Sequence, residues 1–527
     1  MLQNIPNTDR FSKLIHLTLS VYGLFLLYKA AKIFIFHTLN GAGGWDGPAS
    51  YMPIAERVAD GAHLYSDIFL KYTPLGIYIL SWFQNILQPW IDDKITIHYI
   101  AIIFTHLLTM AFLIRIFIIL SINWSLILVC LGIYSHFIIA YVGSHVFLEQ
   151  FAVIFIAFTI LIILENKFGR YQKAILLGIG ASFAYMSKQY GLVLFPVIST
   201  LLMCDMNEEK FKSKNILWFV FLTIVSIFML LNTFIRPLLY IIPCITALLI
   251  LVEFSRDSIK NKGIELGLMT GSFLISFLLI ILFMNTTLLE FFHQTYQSGY
   301  EQWGKVSSGK FLGFVYYSFY YSIIIFIAFI FIKRHRIPFR ICFLFIFAFT
   351  PCLAIRQFDH YFLMQIPIFI IMIAMSLHSF LKFNKLLTCI TCLLIAFNHN
   401  KLVTSRWHDN LQDTRIRLHQ KGRDINEIFK PGEHVLILAS PQLYYFSNLY
   451  SSSEKNFGYG YETILNYKDF SIALKEADKV IFDRVRYKYT LKFIKSDQNL
   501  TKVMNDIKSD FRLIRKDSNN LEYWVRN

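Results

Sequence analysis

Four charged residues stand where an otherwise apolar chain has least reason to keep them. Asp46 lies in GGWDGP, directly after the first long apolar run, and the glycines around it let the backbone turn sharply and approach a ligand closely. A lone carboxylate there suits a general base that takes a proton from an attacking hydroxyl. An Asx-turn is the plainer role for an Asp beside Gly and Pro. Lys71, in LKYTPLG, closes the same polar stretch. As a compact positive charge it suits a lipid-linked phosphate, or it simply snorkels to the membrane surface. Glu149, in SHVFLEQ, stands near the start of a helix, where the dipole stabilises a carboxylate whether it caps or reacts. Lys188, in YMSKQYG, falls between two short apolar runs, and a charge at such a place is a functional hypothesis by default.

Two weaker groups follow. Arg356, Asp359 and His360 cluster at a helix junction, either as a surface ion pair or as further contacts to phosphate or sugar. Tyr296, Tyr300, Glu301 and Trp303 share a long polar loop and could shape a sugar or acceptor pocket, although aromatics at this depth also form interfacial belts.

The elements that must position these residues are membrane helices. The chain has 527 residues, of which 56% are hydrophobic and only 16% charged, against about a quarter charged in a soluble domain. Apolar runs recur from Leu14 to Phe397, and a span needs about 20 residues. Long helices are forced because lipid offers the backbone no hydrogen-bond partner. The net charge of +16 is dispersed among short loops, which fits lysines and arginines flanking helices and argues against nucleic-acid binding. The seven cysteines lie in or beside apolar runs, so no disulfide framework is expected, and Cys389 and Cys392 read as helix packing. The first apolar run lacks a small-residue cleavage pattern and reads as a retained anchor.

Placing basic clusters on the cytoplasmic side gives about 13 spans, with the N-terminus inside and the tail outside. Helix 1 covers about Leu14–Phe36 and delivers the loop from Gly41 to the outer surface. Pro74–Trp90 is short and reads as a juxtamembrane surface helix, because counting it as a span puts later loops on the wrong sides. Spans follow at about Ile95–Ile114, Trp124–Tyr141, Gln150–Leu164, Ala174–Ser187 and Tyr190–Cys204. A pair then meets near Arg236-Pro237, and Gly263–Met284 leads to an outer loop over Asn285–Lys310. The last spans are Phe311–Ile332, Arg340–Ile355, Tyr361–Phe380 and Leu386–Phe397.

Past Asn398 the composition turns polar. Residues 407–430 read as helical, His434–Ser440 and Lys479–Phe482 as buried strands, Tyr467–Ala477 as a helix, and Phe511–Lys516 with Leu521–Arg526 as a hairpin. The expected domains are therefore a membrane unit over 1–400, with a site loop at 41–94, and a small extracytoplasmic α/β domain over 401–527. That domain has no Gly-rich phosphate loop, which argues against nucleotide binding. No internal repeat of the kind frequent in transporters is visible.

The membrane part resembles the C-type (GT-C) glycosyltransferases, in particular the branch that holds the aminoarabinose–lipid A transferase and the protein O-mannosyltransferases. The resemblance rests on Asp46 after helix 1 and on a run from Ala55 through Gly61 and Tyr65 to Asp67. It continues with Lys71 ahead of Pro74-Leu75, Glu149 about a hundred positions after Asp46, GIGASFAYMSK ending at Lys188, and HYFL from His360 with Pro367 behind it. Two departures are a Glu at 149 where Asp is frequent, and a Lys-Pro pair spread to Lys71-x-x-Pro74.

The resemblance implies an inverting sugar transfer from a polyprenyl-phosphate donor to an envelope acceptor (glycolipid, glycan or protein) at the outer face of a bacterial inner membrane. In it Asp46 is the general base and Glu149 orients donor or acceptor. Lys71, Lys188, Arg356, His360 and Tyr361 hold the lipid phosphate. Tyr65, Asp67, Tyr300, Glu301 and Trp303 line the acceptor or sugar pocket. The expected partners are the lipid-linked donor and membrane lipid. No cofactor is expected, and no His/Asp/Glu spacing demands a metal, although a divalent cation stays open. Alternatives are a transporter or flippase of lipid-linked sugars, an oligosaccharide polymerase or ligase, and a non-catalytic scaffold.

Overall fold

The computed structural model describes residues 8–203, 259–297, 359–383 and 411–527, apart from breaks at 45, 141–144, 454–458, 460–463, 465, 488–490, 492, 495 and 518–519, together with a few residues between 338 and 349. The expected pair near Arg236-Pro237 and the spans over 311–332, 340–355 and 386–397 lie wholly or largely outside those residues.

The helices of the bundle are α1 (Thr8–Asn40), α4 (Lys94–Ile119), α5 (Trp124–Ala140), α6 (Glu149–Leu164), α7 (Arg170–Ser187), α8 (Leu194–Met203), α9 (Ile259–Phe283) and α11 (Ile366–Phe383). Among the described residues four segments are long and apolar enough to cross a membrane: 12–40, 94–119, 263–283 and 362–381. The chain is an integral membrane protein. Helix α1 packs on α5, α4 on α6, α6 on α7, and α7 on α9. The faces left over are apolar: Leu14, Leu17, Val21 and Leu24 on α1, and Ile275, Leu279 and Leu282 on α9, are exposed, as lipid contact requires.

Between α1 and α4 the chain makes a layer of short helices. A single π-helical turn (Gly47–Tyr51) runs into α2 (Met52–Ala59), and α3 spans Leu75–Leu87. At 13 residues α3 is about 20 Å long, well short of the ~30 Å hydrocarbon core. It buries Leu75, Ile77, Tyr78, Leu80 and Gln84 while Trp82 and Ile86 stay exposed, so it lies against the bundle on one face. At the opposite end of the bundle, Arg115 of α4 pairs with Glu165, at 2.9 Å from Nε to Oε2, just beyond α6.

Several helix boundaries depart from the sequence expectation. Helix α6 begins at Glu149 itself. Helix α7 ends at Ser187, Lys188 after it is extended (φ −155°, ψ 135°), and a 3₁₀ turn (Gln189–Val193) precedes α8. Another 3₁₀ turn (Asp359–Gln365) precedes α11. The short helix α10 (Leu288–Phe292) and a π turn (His293–Gln297) follow α9.

The C-terminal domain is a mixed five-stranded sheet in the order β2-β1-β3-β5-β4. The strands are β1 (His434–Leu438), β2 (Tyr450–Ser451), β3 (Lys479–Asp483), β4 (Phe511–Lys516) and β5 (Leu521–Arg526). Strand β1 runs parallel to β2 and β3, and β3–β5 and β5–β4 are antiparallel. Alternation separates the two faces. Leu436, Leu438, Val480, Phe482 and Trp524 pack under α14 (Tyr467–Glu476) and α15 (Asp497–Asp510). Val435, Ile437, Ile481 and Tyr523 join α12 (Leu411–Asn426), α13 (Gln442–Ser447) and the membrane unit in one continuous core. The domain is therefore docked on the bundle. Two contacts fasten it to α2: the Tyr450 hydroxyl donates to Asp60 at 3.1 Å, and the Arg57 guanidinium lies 4.0 Å above the Tyr450 ring.

Candidate active site

The site is built where α1 stops. Gly43 and Gly44 have φ of +81° and +80°, in the left-handed region that a Cβ disfavours, so the chain breaks out of the helix and turns back. Three bonds hold this short backbone at Gly43 and Gly44. The Tyr99 hydroxyl of α4 accepts from the Gly43 amide at 3.1 Å, and the Gly43 carbonyl accepts from the Val146 amide at 3.2 Å. Gln442 of α13 donates to the Gly44 carbonyl at 3.3 Å. Asp46 follows, half-buried, at the head of the π turn.

The bond from Gly43 to Val146 brings the Asp46 segment against the loop that leads to Glu149. A Cβ on Gly44 would sit 2.9 Å from the Cβ of His145, whose ring stacks on that of His37 with centroids 5.5 Å apart. Gln150 donates to the His145 carbonyl at 2.6 Å and fixes the loop just ahead of α6. None of the two histidines, Tyr99 and Gln442 is marked by a sequence motif.

Glu149 and Lys188 form one unit. Lys188 Nζ lies 2.6 Å from Glu149 Oε1, and the two side chains are 3% and 0% exposed. A buried pair of this kind costs desolvation on both sides and is strongly destabilised when one partner goes, by about 3–5 kcal/mol. The pairing changes what each residue can do. Glu149 neutralises much of the Lys188 charge, so Lys188 is less a free phosphate ligand than half of a fixed dipole.

Lys71 supplies the second ammonium. Its Nζ lies 5.4 Å from the centroid of the Tyr72 ring, and Lys188 Nζ lies 5.0 Å from the same centroid. Both contacts are within cation–π range. Tyr72 in turn meets Tyr51, the last residue of the π turn headed by Asp46, edge to face at 5.3 Å. The Lys71 carbonyl accepts from Gln189 at 2.9 Å, which ties the loop to the residue after Lys188. Asp46, Lys71, Glu149 and Lys188 are thus carried by segments that converge on one aromatic pair.

Tyr65 and Asp67 brace the loop. The Tyr65 hydroxyl donates to the Tyr72 carbonyl at 2.6 Å, and Tyr65 itself holds φ +69°. Asp67 accepts from the His63 amide at 2.8 Å and is exposed. Gln294, from the π turn after α10, donates to the Tyr65 carbonyl at 2.6 Å and accepts from the Leu70 amide at 2.9 Å. The segment after α9 therefore reaches the 65–70 loop, through a residue that no motif marked. His360 and Tyr361 lie in the 3₁₀ turn ahead of α11. Arg356, Tyr300, Glu301 and Trp303 lie outside the described residues. Among the described residues no three of His, Cys, Asp and Glu converge as metal ligands.

No family model matches the sequence, and no curated protein matches it. Solved structures do. ArnT from Cupriavidus metallidurans, bound to undecaprenyl phosphate, aligns with a TM-score of 0.55 at 10% identity, over 96% of this chain and 98% of its own. Its apo form aligns with a TM-score of 0.55 at 11% identity, over 96% and 97%. The fold is that of ArnT. The match runs nearly end to end, so it takes in the C-terminal α/β domain as well as the bundle. The resemblance to C-type glycosyltransferases drawn from scattered motifs holds at the level of three-dimensional structure.

Proposed function

We propose that the chain is an integral-membrane glycosyltransferase that moves a sugar from a polyprenyl-phosphate donor to an envelope acceptor, with inversion at the anomeric carbon. The observation that carries the reading is the meeting of Lys71 and the Glu149–Lys188 pair around Tyr72, joined through Tyr51 to the turn of Asp46. It gives one carboxylate and one cation on separate, rigidly held segments, which is what a hydroxyl nucleophile and a phosphate leaving group require. The ArnT fold, one of whose structures holds undecaprenyl phosphate, adds support.

In the proposed step the Asp46 carboxylate takes the proton of the acceptor hydroxyl. The acceptor oxygen forms its bond to the anomeric carbon as the bond from that carbon to the lipid phosphate breaks on the opposite face. The electron pair leaves on the phosphate oxygen, whose charge Lys71 stabilises in a preorganised site. The Glu149–Lys188 dipole orients the donor beside it. Arg356, His360 and Tyr361 add phosphate contacts, and Tyr300, Glu301 and Trp303 shape the acceptor side. No cofactor takes part in these steps. The site and the 401–527 domain face the outside of a bacterial inner membrane, with the N-terminus in the cytoplasm, as the basic clusters suggest.

The test is a reconstitution in proteoliposomes with a synthetic polyprenyl-phosphate sugar and envelope extract. Release of polyprenyl phosphate together with an inverted glycosidic product supports the reading. Movement of the intact lipid-linked sugar between leaflets with no bond broken would replace it with a transporter.

A further inference from the structure

Besides Gln442, the C-terminal domain sends an arginine to the backbone ahead of Asp46. Arg415 projects from α12, and its side chain is 13% exposed. Nη1 donates to the carbonyls of Leu39 at 2.9 Å and of Thr38 and Gly41 at 3.3 Å each. Nη2 pairs with the Asp93 carboxylate, and Asp93 accepts from the Thr96 amide at 3.1 Å as the N-cap of α4.

The last carbonyls of a helix have no partner within it. Here two of those of α1, on Thr38 and Leu39, accept from a cation of another domain, 376 residues from Leu39 in sequence, and the Thr96 hydroxyl also donates to Thr38 at 3.3 Å. The signs agree with the helix dipoles: a guanidinium at the C-terminus of α1 and a carboxylate at the N-terminus of α4 are both favourable. The planar fork also matters, because three carbonyls and a carboxylate need several donors in fixed directions, which an ammonium cannot provide. From Gly41 the chain has only Ala42, Gly43 and Gly44 before Trp45 and Asp46, and Gln442 of the same domain holds the Gly44 carbonyl. The C-terminal domain therefore grips both ends of the glycine hinge.

We infer that Arg415 is a positioning residue for Asp46: by capping α1 and bracing Gly41 it sets the backbone from which the carboxylate is presented. The C-terminal domain is then a working part of the site. The catalytic half of this inference rests on Asp46 acting as proposed above, and the structural half does not.

The experiment compares the full chain in lipid nanodiscs with Arg415→Ala and Arg415→Lys. Amide hydrogen exchange is read over 42–47, and transfer kinetics are read with a polyprenyl-phosphate sugar. For Arg415→Ala the 42–47 amides exchange about tenfold faster while those of β1, β3 and β5 keep their protection. In the same variant kcat falls about tenfold or more with little change in donor KM. Arg415→Lys, which keeps the charge but not the fork, lies between. Should Arg415→Ala fail to fold, Arg415→Lys decides on the same two readouts. Unchanged exchange over 42–47 overturns the inference. So does faster exchange with an unchanged kcat in an active protein. If the wild-type chain shows no transfer at all, the functional proposal fails, and the exchange data decide the structural half by themselves.

Discussion

Tyr51 and Tyr72 meet edge to face with ring centroids 5.3 Å apart, and through that contact the turn of Asp46 touches the loop of Lys71. Lys188 lies over the same Tyr72 ring at 5.0 Å. Tyr72 is then the hub of the site although it need not react. Tyr72→Phe keeps the ring and leaves activity within about threefold, since the hydroxyl is no part of these contacts. Tyr72→Ala removes cation–π contacts worth about 0.5–2 kcal/mol each and lowers kcat/KM about tenfold to a hundredfold. Equal activity of the two variants would remove Tyr72 from the account.

Glu149 and Lys188 separate stability from function. Lys188→Met leaves Glu149 buried without its ion-pair partner and costs about 3–5 kcal/mol, visible as a lower Tm in detergent. Adding Glu149→Gln to that variant removes the stranded charge and restores much of the Tm. Transfer activity stays low in the double variant, because the dipole beside the donor is gone. Recovery of both together would make the pair purely structural.

Two glycines with positive φ distinguish strain from function. Gly61 has φ +96° with nothing within 4 Å of an added Cβ, so Gly61→Ala carries only the backbone cost, about 1–2 kcal/mol. Gly44 has φ +80° and an added Cβ meets His145 at 2.9 Å, so Gly44→Ala also displaces the segment that presents Asp46. Both variants lose Tm, but only Gly44→Ala loses transfer by more than about tenfold.

The docked domain should loosen in acid. Burial pushes the Asp93 carboxyl upward, but hydrogen bonds from Thr96 and the charge of Arg415 outweigh it and hold it below the ordinary value. A carboxyl with a lower pKa folded than unfolded stabilises the folded form above the unfolded value of about 3.9, and this is lost as pH falls through the folded value. Amide exchange over α12, corrected for the intrinsic rate, should therefore rise below about pH 4 in the wild type. Asp93→Asn should flatten that part of the pH profile, and an unaltered profile would deny Asp93 the role.

Much of this was legible in sequence for physical reasons that can be named. The apolar runs mark the helices because lipid permits little else, and the hairpin over 511–526 shows its strand pattern on both sides of a polar turn. Asp46 and Lys188 stood out because charges amid apolar sequence are costly. Other elements left no such trace. Helix α13 has six residues and β2 two, too few for any period to register. Helix α15 buries only Val503 and Ile507 and reads as polar chain. The Glu149–Lys188 pair spans 39 positions and Arg415 to Leu39 spans 376, so both are made by the fold and by no local pattern. Gln294 likewise shows its role only when the second loop is seen against Tyr65 and Leu70.

The central claim is that Asp46 is the base, and one isosteric change addresses it. Asp46→Asn is to be compared with wild type for release of polyprenyl phosphate and for formation of the glycosylated acceptor, with binding of undecaprenyl phosphate and the Tm measured alongside. The account predicts that lipid-phosphate binding and Tm stay near wild type while transfer falls by about 10²–10⁴-fold. Transfer at close to the wild-type rate would contradict it.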